Sequence, residues 1–189
     1  FIAAQPDWQG PEEGSACPLL AEHLAEHLIP MTDIYIAGIA MTVFGRHPER
    51  SLHELAGEAL QGALKDAGCE SADLGVAFYS GMTNGPLQGQ IAIPGQVVFS
   101  RIGIEAIPIY NVENACASGS TAVHLALQSL RAGATDIALA LGAEKMNIPD
   151  KARAFAIFEG GWDVSRAEEN YATLVKMGAG VEPPPGSES

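Results

Sequence analysis

The sequence predicts an α/β fold with a mostly parallel sheet flanked by helices. Three observations lead there. Short apolar runs of strand length alternate with longer amphipathic segments. Those runs are apolar almost throughout, as strands covered on both faces should be. The segments between them carry recognisable helix starts and stops.

The elements follow in order. Residues 33–42 contain Ile34-Tyr35-Ile36-Ala37-Gly38-Ile39-Ala40-Met41, expected to be a first buried strand. After a loop at 44–50, Ser51 can cap a helix, and Glu54 completes a capping box. Leu52, Leu55, Ala56, Ala59, Leu60, Ala63 and Leu64 form its apolar face, and Gly68 ends it. Residues 74–80 predict a second strand, and 81–86 a flexible connection. Residues 90–102 are left open by propensity, because Pro94 and Gly95 weaken the helical pattern. A third strand is expected over 106–112, a helix over 116–131, and a fourth strand over 136–143. Ala122, Val123, Ala126, Leu127 and Leu130 mark the buried face of that helix, with Ala115 at its head and Gly133 as its stop.

The chemistry concentrates at the turn between the third strand and its helix. Cys116 sits there among the small neighbours Ala115, Ala117, Ser118 and Gly119. A thiol at a helix start faces unpaired N–H groups and the positive end of the macrodipole, and both favour the reactive thiolate. The bland alternative is a small buried cysteine that merely packs.

The wording Val112-Glu113-Asn114-Ala115-Cys116-Ala117-Ser118-Gly119-Ser120-Thr121-Ala122, followed by Gly142-Ala143-Glu144-Lys145-Met146, resembles the nucleophile segment of the thiolase superfamily. It is most similar to sterol-carrier-protein-type thiolases and their acetyl-CoA acetyltransferase-like relatives. The resemblance runs from about Met31 to the chain end. It implies a thiolase-like fold, of which this chain holds the first-half βαβαβαβ unit in truncated form, and it makes 90–102 helical.

The implied organisation has three parts: an extra arm at 1–30, expected to precede the native start; an N-terminal α/β domain at 31–150; and the start of an inserted loop domain at 151–189. Within the last part, 155–164 reads as irregular and 165–177 as a helix opened by Ser165. Met31 is the expected natural start.

The implied reaction is Claisen condensation, or thiolytic cleavage of a 3-ketoacyl-CoA, through a cysteine acyl-enzyme on Cys116. Coenzyme A enters as part of the substrate, and no bound cofactor is expected. Met146 follows the fourth strand, where the family's pocket wall lies, so it is a candidate substrate-binding residue; core packing is an equally good reading. Relatives draw the histidine base, a second cysteine and the oxyanion donors from the second half, so the isolated fragment is expected to be inactive. The resemblance further implies a homodimer formed partly by pairing third strands, here 107–112, or a complex with a complementary subunit. Two other readings stay open: a family-related retro-aldolase acting on a side-chain acyl-CoA, and a non-catalytic scaffold subunit.

The remaining reactive residues have plainer readings. His124 lies eight residues beyond Cys116, ~12 Å along a helix axis, too far to serve as its base. Glu113 and Asn114 are expected to shape the turn. Cys69 reads as structural and His53 as solvent-facing. His23 and His27 are four apart but lack a third ligand, so no metal site is expected.

Composition narrows the field. With 189 residues, 47% of them hydrophobic, the chain can bury a sizeable core. A net charge of −13 argues against nucleic acid as a partner. No apolar run approaches the ~20 residues of a membrane span. The three cysteines, Cys17, Cys69 and Cys116, are sparse and unpaired in spacing. That suits reduced thiols, and a cytoplasmic location is expected.

Overall fold

β1 (Val76–Ser80) lies at the centre of a three-stranded parallel sheet, between β2 (Ile109–Val112) and β3 (Ala138–Gly142), in the computed structural model, which describes residues 33–179. Phe78 is in register with Tyr110 on one side and with Ala140 on the other. Parallel neighbours require crossovers, and helices supply them. α1 (Leu52–Ala67) precedes β1; α2 (Asn84–Gln88) and α3 (Pro94–Arg101) lead to β2; α4 (Ser118–Arg131) leads to β3. α5 (Lys151–Ala156) and α6 (Ala167–Gly178), joined by two 3₁₀ turns, follow the sheet.

The central strand is buried at all five positions, as a strand covered on both faces must be. Its side chains alternate between two cores. Ala77 and Tyr79 join Ala56, Leu60 and Leu64 of α1 and Val98 and Phe99 of α3. Val76 and Phe78 join Val112 and Ala122 and Ala126 of α4. Tyr79 meets Phe99 edge to face at 5.9 Å, and Phe78 stacks on Tyr110 at 5.2 Å. Gly95 permits the approach of α3 to the sheet: a Cβ there would lie 2.7 Å from Tyr79 Cβ and 2.8 Å from Asn111 Oδ1.

α1 forms as its sequence signals require. Ser51 Oγ accepts from Glu54 N at 3.2 Å, and the Glu54 carboxylate accepts from Ser51 N at 2.6 Å. These bonds hold the Glu54 carboxyl below the usual carboxylate range, with the Ser51 backbone bond the main cause. Gly68 closes the helix in the left-handed conformation at φ 67°.

Six expectations are corrected. The first strand does not form: 34–42 pairs with no strand among the described residues, and Tyr35, Ile36, Ile39 and Met41 are exposed. The segment runs against α1 instead. Ile39 N donates to Asp66 Oδ2 at 2.9 Å, and Gly38 is apposed to the Ala63 carbonyl. An apolar run does not itself specify a ladder partner, and here a helix carboxylate takes the Ile39 amide that a ladder would have used.

The helix expected over 90–102 starts at Pro94. At the first helical position its missing N–H costs nothing, so the proline opens α3 rather than weakening it. The connection expected at 81–86 runs into α2, with Thr83 and Asn84 buried. The helix expected from Cys116 begins two residues later, at Ser118.

The third strand is also shorter than expected, because Ala106 adopts φ 62° and cannot sit in a strand. In the tail, Asp163 rather than Ser165 caps the turn before α6, accepting from Ser165 N at 3.0 Å. The arm expected at 1–30, including Cys17, His23 and His27, lies outside the described residues, as does 180–189.

Candidate active site

Cys116 is exposed, at the turn that joins the carboxyl end of β2 to the amino end of α4. In open parallel sheets this end of the strands is where ligands bind. The turn is built from four side chains and one strained residue. Ala115 adopts φ 45°, a region that a Cβ disfavours. Ala115 N donates to Glu113 Oε1 at 2.7 Å. Ser118 Oγ donates to Ala115 O at 2.7 Å and accepts from Asn114 N at 2.8 Å. Asn114 Nδ2 donates to Thr121 Oγ1 at 2.9 Å, and Thr121 Oγ1 donates to Ala117 O at 2.9 Å. None of these contacts engages the Cys116 sulfur.

The left-handed step at Ala115 explains why the helix starts late. It reverses the chain before helical geometry can propagate, and Ala117 becomes the cap, with φ −94° and ψ 6°. On α4, Ala122 and Ala126 are buried and Leu127 and Leu130 half-buried, whereas Val123 is 56% exposed and Ala115 is exposed.

Other predicted residues fall apart from the turn. His124 is exposed on α4, its Nε2 3.4 Å from Gln128 Nε2. Met146 follows β3 and is 37% exposed. Cys69 is half-buried against the core, beside a cleft of about 900 Å³ shared with Gln61, Lys65 and Glu105. A smaller cleft of about 420 Å³ lies between Arg50, His53, Glu54 and Arg101. Neither cleft includes Cys116 or Met146. Among the described residues, no group of three His, Cys, Asp or Glu is placed to hold a metal ion, and no helix is long and apolar enough to cross a membrane.

A buried polar cluster at the carboxyl end of β1 was not singled out from the sequence. Tyr79 Oη donates to Ala143 O at 3.1 Å and to Asn84 Oδ1 at 3.4 Å. Burial pushes the Tyr79 phenol up to about 12; the Asn84 bond opposes this shift and the Glu144 charge adds to it. Thr83 Oγ1 and Asn84 Nδ2 are buried and unpartnered among the described residues. The Glu144 carboxylate accepts from Met82 N and from Thr83 N. A polar pair, Thr83-Asn84, three residues beyond a largely apolar strand was the available signal.

Residues 34–177 match the family model described as thiolase, N-terminal domain. The chain is 35% identical over 116 residues to an acetyl-CoA acetyltransferase of Methanothermobacter thermautotrophicus, covering 61% of this chain and 30% of that protein. It is 37% identical over 116 residues to the acetyl-CoA acetyltransferase of Methanocaldococcus jannaschii, covering 61% and 29%. It is 36% identical over 115 residues to sterol carrier protein 2 of Gallus gallus, covering 60% and 20%. The matched part thus spans 20–30% of the length of these relatives. A solved acetyl-CoA acetyltransferase from Syntrophomonas wolfei superposes with a TM-score of 0.48 at 24% identity, covering 55% of this chain and 27% of that one.

Proposed function

Since the chain belongs to the thiolase family through its N-terminal domain, we propose that it carries the nucleophile of an acyl-CoA C-acyltransferase, with Cys116 as the acyl acceptor. The observation that carries this reading is the exposed sulfur at the β2–α4 turn, beside the amino end of a fourteen-residue helix. Ala117 N and Ser118 N are bonded to Asn114 O and Ala115 O, and the positive end of the helix dipole favours negative charge there.

The chemistry follows from the residue type. The Cys116 thiolate attacks the thioester carbonyl, the tetrahedral oxyanion collapses, and the coenzyme A thiolate leaves. The acyl group then rests on Cys116 until a carbon nucleophile takes it, in condensation. Thiolytic cleavage of a 3-ketoacyl-CoA is the reverse. Coenzyme A takes part only within the substrate.

Both steps need a base and donors for the oxyanion. The family resemblance assigns these to parts of its members that the matched 20–30% does not include. His124 does not substitute, lying six residues beyond the first residue of α4, ~9 Å along its axis and away from the turn that carries Cys116. The 189-residue chain alone therefore does not turn over ketoacyl-CoA.

The working form is a homodimer or a complex with a complementary subunit. β2 supports this reading: it is an edge strand among the described residues, and Tyr110 on it is 54% exposed. We place the protein in the cytoplasm, where sparse cysteines stay reduced.

The test is ketoacyl-CoA cleavage by the whole gene product containing this chain. Cys116→Ala is expected to lower turnover on the order of a thousandfold or more. Normal turnover by that variant removes the reading, and measured cleavage by the purified 189-residue chain removes its inactivity.

A further inference from the structure

We propose that Glu113 and Ser118 are positioning residues that hold Ala115 in its strained conformation and thereby fix the direction of the Cys116 sulfur. This proposal rests on the reading of Cys116 as the nucleophile.

The geometry is specific. Ala115 carries a Cβ at φ 45°, where a free alanine would not stay. Such a conformation persists only when its surroundings over-determine it. Here side chains fasten both peptide groups of Ala115. Its N–H is held by Glu113 Oε1 at 2.7 Å. Its carbonyl is held by Ser118 Oγ at 2.7 Å and by Ser118 N at 3.2 Å. The same hydroxyl accepts from Asn114 N at 2.8 Å, so one side chain ties the residue before the strain to the carbonyl of the strained residue itself.

Ser118 is 6% exposed, so water does not readily replace its bonds. The Ala115 carbonyl belongs to the peptide unit that ends at the Cys116 nitrogen. Peptide units are planar, so pinning that oxygen sets the plane from which the Cys116 side chain departs. A hydroxyl two residues beyond the sulfur and a carboxylate three residues before it thus aim a group that neither touches.

The two roles can be separated, because Glu113 contributes both a charge and an acceptor. Glu113→Gln removes the charge and keeps an acceptor oxygen for Ala115 N–H. Glu113→Ala removes both. The difference between these variants reports the acceptor alone.

The experiment is site-resolved alkylation of the 189-residue chain by iodoacetamide, followed by peptide mass spectrometry, with Cys69 as the internal control. Glu113→Ala is expected to alkylate at Cys116 at least threefold more slowly than Glu113→Gln. Ser118→Ala is expected to be at least threefold slower than wild type, and Cys69 rates should stay within twofold throughout. If Ser118→Ala does not fold, the exposed Glu113 pair decides.

Equal Cys116 rates for the two Glu113 variants overturn the proposal. So does a Cys69 rate that moves in step with Cys116, since that marks general loosening. Alkylation needs no acyl-CoA chemistry. A failure of acyl transfer with these rate differences intact would therefore sink the functional reading and leave the positioning of the sulfur standing.

Discussion

The carboxylate of Glu144, two residues beyond β3, accepts from the backbone N–H of Thr83, three residues beyond β1, at 3.1 Å. The same oxygen accepts from Met82 N. One side chain therefore ties together the segments that leave two neighbouring parallel strands. Glu144→Ala should cost about 1.5–3 kcal/mol, the range for hydrogen bonds to a charged group. Chemical denaturation of the variant against wild type reads this. Glu144→Gln keeps one acceptor and should lose less.

Tyr79 offers a test through pH. Its phenol is pushed from the ordinary 10 up to about 12, chiefly by burial. Between those values the unfolded chain releases this proton and the folded chain keeps it. The unfolded state is then favoured as pH rises. The contribution of Tyr79 is fully present below pH 10 and lost as pH climbs toward 12. Unfolding free energies measured across that window should fall more steeply for wild type than for Tyr79→Phe. Parallel slopes would contradict the burial of the phenol.

The capping box of α1 predicts an acid-side effect of opposite sign. Ser51→Ala removes the acceptor for Glu54 N and should cost about 1 kcal/mol near neutral pH. The Glu54 carboxyl titrates below 4.5 because of its bonds to Ser51. Its contribution is present above 4.5 and lost as pH falls through the lowered value. Thermal melts of Glu54→Gln and wild type should converge as pH drops below 4.5.

Leu60 tests the core on the α1 side of the sheet. It is 0% exposed and packs in the cluster that includes Tyr79 and Phe99. Leu60→Ala should cost about 2–5 kcal/mol through lost transfer energy and the cavity left behind. Denaturant midpoints measure it.

Features set by short-range signals were legible in the sequence. Ser51, Glu54 and Gly68 define α1 because caps depend on residues within one turn. The burial of β1 followed from its unbroken apolar run, and the Cys116 turn from small residues between a strand and an amphipathic helix.

Features set by long-range competition were not legible. Residues 34–42 look like a strand, yet Asp66 on α1 takes the Ile39 amide. Pro94 weakens a helix only if it is interior, and nothing local said that it was first. The left-handed alanine at 115 was hidden for the same reason. Alanine favours helices, and only the bonds from Glu113 and Ser118 hold it elsewhere.

The most direct measurement of the central claim is the mass of tryptic peptides after the whole gene product containing this chain is mixed with acetyl-CoA. The account predicts an acetyl group on the peptide containing Cys116, gained at least tenfold faster than on Cys69 and absent in Cys116→Ser. Acetylation no faster at Cys116 than at Cys69 would contradict it.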